Sequence, residues 1–115
     1  MKRFAPPKNF IENDNLPWEE VEKGIYRKVI AYDEKLMLVK VRFEPGKIGT
    51  LHRHHHSQIS QVESGVFEIE IDGYKRRLKQ GDAYYIPPDT MHGAECIESG
   101  VLIDVFSPMR EDFIQ

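Results

Sequence analysis

The chain lacks the features that define several large classes of protein. It has one cysteine, Cys96, in 115 residues, so no disulfide can form within the chain and a reducing, cytoplasmic location is expected. No apolar run approaches the ~20 residues that a membrane-spanning helix needs. The N-terminal stretch MKRFAPPKNF also has no apolar segment typical of a secretion signal. We therefore expect a cytoplasmic protein that does not insert into a membrane.

An excess of positive charge is missing too. Sixteen Lys and Arg stand against nineteen Asp and Glu, for a net charge of −3, which argues against nucleic acid or an anionic membrane as the main partner. The densest basic run is YKRRLK at 74–79. Its residues alternate along a predicted strand, which indicates a solvent-exposed strand face rather than a binding patch. Neither nucleic acid nor an anionic membrane is therefore expected as a partner.

Helical periodicity is nearly absent, although residues 18–23 can form one helical turn. Short β-branched and aromatic runs are separated by turn residues such as Pro45–Gly46, Asp72–Gly73 and Pro87–Pro88, as in all-β sandwiches and barrels. The predicted strands are GIYRKVIAY, LMLVKVRFE, VFEIEI, KRRLK, AYYI and VLIDVF. We predict an irregular N-terminal arm over 1–17 and a single all-β barrel or jelly roll over 18–115. Several runs are apolar on both faces, so a second subunit is expected to cover the outer face, giving a homodimer.

What the chain does have is a concentration of histidine. Four of its five histidines fall in LHRHHHSQ at 51–58, and the fifth, His92, follows in PPDTMHG. An internal, interrupted cluster is not an expression tag, which leaves a solvated polar loop or a metal site. Side chains two apart on a strand share a face, so His52 and His54 can reach one ion. Across a hairpin, Gln58 can present its amide oxygen to the same cavity. His92 can add a third imidazole from another strand.

Three imidazole nitrogens and one amide oxygen, with positions left open, describe a catalytic metal site. Ni²⁺, Zn²⁺, Mn²⁺ and Fe²⁺ all accept these donors. His55 has the wrong parity to join them and His56 lies in the bend, so both are expected to be solvent-exposed or supporting residues rather than ligands. In the alternative interpretation, His92 is a hydrogen-bonded core histidine beside a polar loop.

The spacing around these histidines resembles the two signature motifs of the cupin superfamily, G-x5-H-x-H-x3-4-E-x6-G and G-x5-P-x-G-x2-H-x3-N. Gly46 precedes His52 by six residues, and Gly65 follows Gln58 by seven. In the second motif, Gly81 precedes Pro87 by six residues. The resemblance implies the cupin double-stranded β-helix over about residues 24–115. Three positions depart from the motifs, and they are Gln58 for Glu, Asp89 for Gly and Cys96 for Asn.

The C-terminal stretch VLIDVFSPMREDF at 101–113 carries a second set of candidates. In an alternating strand, Leu102, Asp104 and Phe106 share one face, so Asp104 is a lone carboxylate among apolar side chains. Such a group is either paired, for example with Arg110, or serves in a cavity as a general acid and base with a raised pKa. In the second interpretation Arg110 clamps a substrate carboxylate and Phe106 forms an apolar wall. Either Tyr84 or Tyr85 is expected to line the cavity.

The ligand set and this tail together resemble one cupin group, the KdgF pectin-degradation proteins, which ketonise unsaturated uronates. That resemblance implies ring opening of 4,5-unsaturated hexuronate to the linear 4-deoxy-5-keto sugar acid in the breakdown of pectin or alginate. It assigns the metal to His52, His54, Gln58 and His92, and the catalytic roles to Asp104, Phe106 and Arg110. Two alternatives stay open, a dioxygenase-type metalloenzyme and a non-catalytic, metal-containing sugar-binding cupin.

Overall fold

The all-β prediction is confirmed. The computed structural model describes residues 9–114, so the first eight residues of the predicted arm lie outside it. The remainder of that arm contains one 3₁₀ turn, Asn13–Asn15, and a second 3₁₀ turn, Glu111–Phe113, follows the last strand. Eight strands lie between them: β1 Glu19–Glu22, β2 Ile25–Tyr32, β3 Met37–Phe43, β4 Ile48–His52, β5 Ser57–Ile71, β6 Tyr74–Lys79, β7 Ala83–Ile86 and β8 His92–Ser107.

The strands form one antiparallel sheet with the order β1-β2-β3-β8-β5-β6, in which β4 also pairs with β8 and β7 with β5. The two long strands, β5 and β8, pair along most of their length, from Ser57 opposite Ser107 to Ile71 opposite His92. Their ladder shifts register near Gly65, where a β-carbon would meet the Ser99 carbonyl oxygen of β8. Glycine at this position lets the two backbones approach and bend together, which closes the sheet into a barrel.

Two local predictions need correction. Residues 18–23 contain no helical turn, because Glu19–Glu22 is strand β1, which pairs with β2. Neighbouring strands supply the hydrogen bonds that an isolated six-residue helix could not. The predicted runs VFEIEI and VLIDVF are halves of the longer strands β5 and β8, since bulges bend these strands without ending them.

The apolar side chains divide into two packed clusters. The larger surrounds Phe67, which is fully buried and meets the Phe43 ring edge-on at a centroid distance of 5.3 Å. The smaller consists of Met37, Val39, Phe106 and Met109. The alternation predicted for β8 is confirmed, because Leu102, Asp104 and Phe106 are all buried. The basic strand β6 is exposed at almost every position and not only on the one face that was predicted.

The described part of the N-terminal arm is attached to the barrel through a buried lysine. Lys28 on β2 donates from Nζ to the Asn13 carbonyl oxygen at 3.1 Å and lies 4.5 Å from the centre of the Trp18 ring. A buried ammonium group is tolerated only with such partners. Within residues 9–114, no helix has the length and apolarity needed to cross a membrane.

Candidate metal centre and cavity

Strand register brings three histidines together at one end of the barrel. His52 ends β4 and His92 begins β8, and the two are direct partners in the β4–β8 ladder. Their ring centroids lie 4.4 Å apart, and the His54 ring lies 4.9 Å from that of His92. One ring nitrogen from each residue lies within 4.8 Å of those of the other two. Residues 40 positions apart in sequence thus present their donors to a single point.

Backbone carbonyls hold all three imidazoles in the tautomer that a metal requires. Nδ1 of His52 lies 2.8 Å from the Thr50 oxygen, Nδ1 of His92 lies 2.8 Å from the Thr90 oxygen, and Nδ1 of His54 lies 3.2 Å from the His56 oxygen. A carbonyl oxygen can only accept, so each Nδ1 carries the proton and each Nε2 keeps its lone pair. Such outer hydrogen bonds orient histidine ligands in metalloproteins.

Gln58 supplies a fourth donor. Its Oε1 lies 3.0 Å from His54 Nε2, and its Nε2 donates to Ser60 Oγ at 2.9 Å. Two lone pairs that face each other at this distance repel unless a cation lies between them. The Nε2 atom of His92 is buried and has no hydrogen-bond partner, which is rare for a polar atom in a folded protein. Both observations fit a divalent ion held by these four residues.

Burial keeps two of the histidines neutral. Desolvation lowers the pKa of His92 to about 4, although its bond to the Thr90 carbonyl acts in the opposite direction. Desolvation, and then the charge of Arg110, also lowers the pKa of His54. A neutral imidazole is the form that binds a metal, so His92 can bind one at pH values well below the ordinary histidine pKa, and the lowered pKa of His54 acts in the same direction.

Asp104 lies buried in the same region, on β8 directly opposite Ser60 of β5. Its Oδ1 accepts a hydrogen bond from Ser60 Oγ at 2.6 Å. Desolvation raises the pKa of Asp104 to about 6, although the Ser60 hydroxyl and the charge of Arg110 act in the opposite direction. The buried phenol of Tyr84 lies near enough for the Asp104 charge to contribute, after desolvation, to raising the pKa of Tyr84. A carboxyl group with a pKa near neutrality can both take and give a proton.

Arg110 lines the cavity. It does not form the ion pair with Asp104 that one interpretation of the sequence predicted. Among the described residues, its guanidinium bonds to Asp112, from Nε to Oδ1 at 3.0 Å and from Nη2 to Oδ2 at 2.9 Å. It also stacks 5.1 Å from the Phe106 ring centre and 4.3 Å from that of Phe113. Three of its five N–H groups remain for a ligand, since Asp112 uses two.

These side chains line one cavity of about 260 Å³. It is slightly smaller than pockets for drug-sized ligands, which run to roughly 300–1,000 Å³, and its size suits a single sugar ring. Asp104 is the only carboxylate and Arg110 the only arginine or lysine among its lining residues. The polar lining residues are His52, Gln58, Tyr84, His92, Asp104 and Arg110, and the apolar ones include Phe43, Leu102, Phe106 and Phe113.

Comparison with known proteins gives the family. Residues 39–106 match the model of the cupin domain. The chain is a cupin. It is 49% identical to the pectin degradation protein KdgF of Dickeya dadantii over 109 residues, which are 93% of this chain and 99% of that protein. The predicted resemblance to the KdgF group is therefore confirmed.

Solved structures agree. This cupin superposes on KdgF from Halomonas sp. with a TM-score of 0.88 and 47% identity, over 90% of this chain and 96% of that one. It superposes on an RmlC-like cupin from Shewanella frigidimarina with a TM-score of 0.90 and 40% identity, over 92% of this chain and 96% of that one. The predicted double-stranded β-helix is confirmed.

The remaining histidines of this cupin lie beside the centre. His55 is exposed, and its ring stacks on that of His56 at 4.0 Å. His56 is buried, and its Nε2 donates to the Met109 carbonyl oxygen at 3.1 Å. Donor atoms of His55, His56 and the exposed Glu111 lie within 4.8 Å of one another. The His56–Met109 bond ties the histidine turn to the segment that carries Arg110.

Three residues of the cavity region escaped prediction from sequence: Ser60, Asp112 and Phe113. Of the three, Ser60 was the easiest to predict from the sequence, because it lies two residues after Gln58 on one strand and therefore shares its face. Asp112 and Phe113 belong to a 3₁₀ turn whose position over the cavity follows from the fold of the whole chain. Of the two tyrosines considered, Tyr84 lines the cavity and Tyr85 is 55% exposed.

Proposed function

We propose that this cupin is a metal-dependent enzyme of pectin or alginate breakdown that opens and ketonises 4,5-unsaturated hexuronate. The observation that carries the proposal is the meeting of an open set of four metal donors with one buried carboxylate of raised pKa in a cavity of sugar size. The likeness to proteins named KdgF supports the substrate class.

The reaction is an isomerisation that needs a proton to move. The substrate is a cyclic enol ether with a free anomeric hydroxyl group and a carboxylate at C5. The O1–H and C1–O5 bonds break, the C1 carbonyl forms, and O5 leaves as the oxygen of a C4–C5 enolate. Protonation at C4 then gives the 5-keto acid, with no atom gained or lost overall.

The side chains of the cavity match these needs. Asp104 takes the proton of the O1 hydroxyl group and returns one to C4, for which a pKa of about 6 is well suited. Arg110 binds the substrate carboxylate with the N–H groups that Asp112 leaves free. Phe106 packs against the sugar ring, and burial of the cavity strengthens each polar contact.

His52, His54, Gln58 and His92 would hold the ion, which is Ni²⁺, Zn²⁺, Mn²⁺ or Fe²⁺. When bound there, a divalent ion supplies Lewis-acid stabilisation of negative charge on oxygen. The amide of Gln58 is neutral, so the centre keeps the full charge of the ion and favours anionic oxygen more strongly than a centre with glutamate would.

The direct test supplies freshly made products of a pectin or alginate lyase. We expect loss of the ultraviolet absorbance of the C4–C5 double bond together with formation of keto acid. A chelator should abolish both, and re-addition of one of the four metals should restore them. Unchanged absorbance with the metal-loaded protein would contradict the proposal.

The same preparations distinguish the alternatives. Oxygen consumption in the presence of Fe²⁺, with the unsaturated uronate left intact, would indicate a dioxygenase. Saturable uronate binding without turnover would indicate a sugar-binding protein.

We also propose a homodimer located in the cytoplasm. Apolar side chains on the outer surface support the dimer, since Ile59 is 56% exposed and Tyr85 is 55% exposed on the paired strands β5 and β7. Light scattering should give twice the mass of the chain, 13.4 kDa.

A further inference from the structure

A chain of buried hydrogen bonds connects the metal-facing amide to the carboxylate of the cavity. Gln58 Nε2 donates to Ser60 Oγ at 2.9 Å, and Ser60 Oγ donates to Asp104 Oδ1 at 2.6 Å. We propose that Ser60 is a positioning residue that makes Gln58 present its oxygen, rather than its nitrogen, to the metal. This inference rests on the metal-binding part of the proposed function and not on the reaction.

The Ser60 hydroxyl group has a single proton, and the acceptor of that proton sets the direction of both hydrogen bonds. Ser60 is 1% exposed, so water does not compete for its oxygen. The short bond to Asp104 takes the hydroxyl proton, because a bond to a carboxylate is stronger than one to a neutral group. Toward Gln58, Ser60 Oγ can then only accept, and the Asp104 carboxylate, which also receives a hydrogen bond from Gln58, favours the same amide nitrogen. The amide nitrogen must therefore face Ser60, and the amide oxygen must face His54.

The opposite amide orientation would block the centre. The two ends of a glutamine amide have nearly the same shape, so rotation by half a turn is sterically permitted. It would place the amide nitrogen at the position 3.0 Å from His54 Nε2, where it would donate to the lone pair that the metal needs. In that orientation the amide oxygen would face Ser60 Oγ, which has no proton to give. The hydroxyl group therefore disfavours the metal-free, self-bonded arrangement of Gln58 and His54.

The test is a double-mutant cycle on metal affinity. Dissociation constants for Zn²⁺ and Co²⁺ are measured by competition with a chromophoric chelator in the wild-type chain, Ser60→Ala, Gln58→Glu and the double variant. We expect Ser60→Ala to weaken binding by about 10- to 100-fold, the range for loss of an outer hydrogen bond to a metal ligand. In the Gln58→Glu background the same change should alter binding by no more than about twofold. The two oxygens of a carboxylate are equivalent, so its orientation does not change the donor.

Ser64→Ala is the matched control. Ser64 lies on the same strand and its Oγ accepts from the Val101 backbone N–H at 3.1 Å, outside the cavity. This variant loses a hydroxyl group of β5 and should keep wild-type metal affinity. Circular dichroism and thermal unfolding of the metal-free variants show whether each is folded. If Ser60→Ala does not fold, Ser60→Cys keeps a side chain of similar size with a weaker donor, and a smaller loss that again disappears with Gln58→Glu is expected.

Two results would overturn the inference. An equal loss of affinity in both backgrounds would show that Ser60 acts through packing and not through the amide. Wild-type affinity in Ser60→Ala would show that another group orients Gln58. A wild-type chain that binds no metal at all would instead contradict the proposed function on which the inference rests.

Discussion

The two halves of strand β5 have the same geometry and opposite chemistry. In the first half, the inward positions include Gln58 and Ser60, which are 6% and 1% exposed. In the second half, the inward positions are Phe67 and Ile69, which are 0% and 3% exposed. Both halves alternate with the period of a strand and pair with β8. Burial is therefore equal in the two halves, and only the side chains differ.

The partner strand β8 repeats this division at two of the inward positions. Ser60 lies opposite Asp104, whereas Phe67 lies opposite Cys96, which is also buried. Other pairs cross this division, since Gln58 lies opposite Phe106 and Ile71 lies opposite His92. A buried polar group costs stability unless it is hydrogen-bonded, and here each link of the Gln58–Ser60–Asp104 chain is made. The comparison teaches that the inward residues of β5 stabilise the fold at its apolar end and hold part of the site at its polar end.

The largest effect is expected from Asp104→Asn at the polar end. Loss of a general acid and base should reduce turnover of unsaturated uronate by roughly 10²- to 10⁴-fold, while metal content stays at the wild-type level. Because desolvation raises the pKa of Asp104 to about 6, the ionised group destabilises the metal-free fold by something on the order of 3 kcal/mol.

The direction in which the Asp104 contribution to stability changes with pH follows from proton binding. Between the ordinary aspartate pKa and about 6, the folded wild-type chain binds more protons at Asp104 than the unfolded chain does, so this contribution to stability falls as pH rises. Asparagine does not titrate. In urea unfolding, the stability of the variant should therefore increase relative to that of the wild-type chain from pH 4 to pH 7. Full activity in Asp104→Asn would refute the assigned role.

Truncation of a side chain at the apolar end of β5 should lower the stability of the fold and leave metal binding nearly unchanged. Phe67→Ala removes a fully buried ring that packs on Phe43 and should lower the free energy of unfolding by about 3–5 kcal/mol. Metal affinity of the folded fraction should change little, because Phe67 does not line the cavity. Tyr74→Ala, at a side chain that is 81% exposed, is the control and should leave the unfolding midpoint nearly unchanged. Equal damage in both variants would mean that the apolar end is not the stabilising one.

The pH dependence of stability in the metal-free protein tests the burial of His92. Burial lowers the pKa of His92 to about 4, against about 6.5 in an unfolded chain. Between these values the unfolded state binds more protons, so this contribution to stability is lost as pH falls through that window. Asp104 acts in the opposite direction over much of the same range, and the two must be separated with variants. The stability of His92→Gln relative to wild type should therefore rise as pH falls from 6.5 to 4.

The smallest effect is expected on the outer surface of the apolar half. Arg77 of β6 lies 3.9 Å from Glu68 of β5 in a partly exposed ion pair. Such pairs contribute about 0–1 kcal/mol, so Arg77→Ala should shift the unfolding midpoint only slightly, and concentrated salt should remove the difference. A loss comparable to that of Phe67→Ala would show that the sheet depends on its surface charges.

Much of this division could be predicted from local patterns. Strand alternation placed Leu102, Asp104 and Phe106 on one buried face, because the period of two is a property of the backbone. Motif spacing led to His52, His54 and His92, which the structure brings together. The helical turn at residues 18–23 was wrong, because pairing with β2 overrides the weak local preference of a short segment.

The partners of Asp104 and Arg110 could not be predicted in this way. The sequence offered Arg110 as the cation for Asp104, but the two side chains instead bond to Asp112 and Ser60. Which side chain is nearest depends on the bend of β8 and the path of the chain beyond it, and neither leaves a pattern in the sequence. Ser60 also looks like an ordinary strand serine until β8 lies opposite it.

The order of residues was sufficient to specify the type of fold, the inward faces of the strands and the four expected metal donors, because these depend on backbone periodicity and on fixed spacings between turn residues. The folded barrel decided the rest: the neutral state of His92, the raised pKa of Asp104 and the orientation of the Gln58 amide. Each of these depends on desolvation and on hydrogen bonds between groups far apart in the chain. Such interactions exist only once the strands have closed around the cavity.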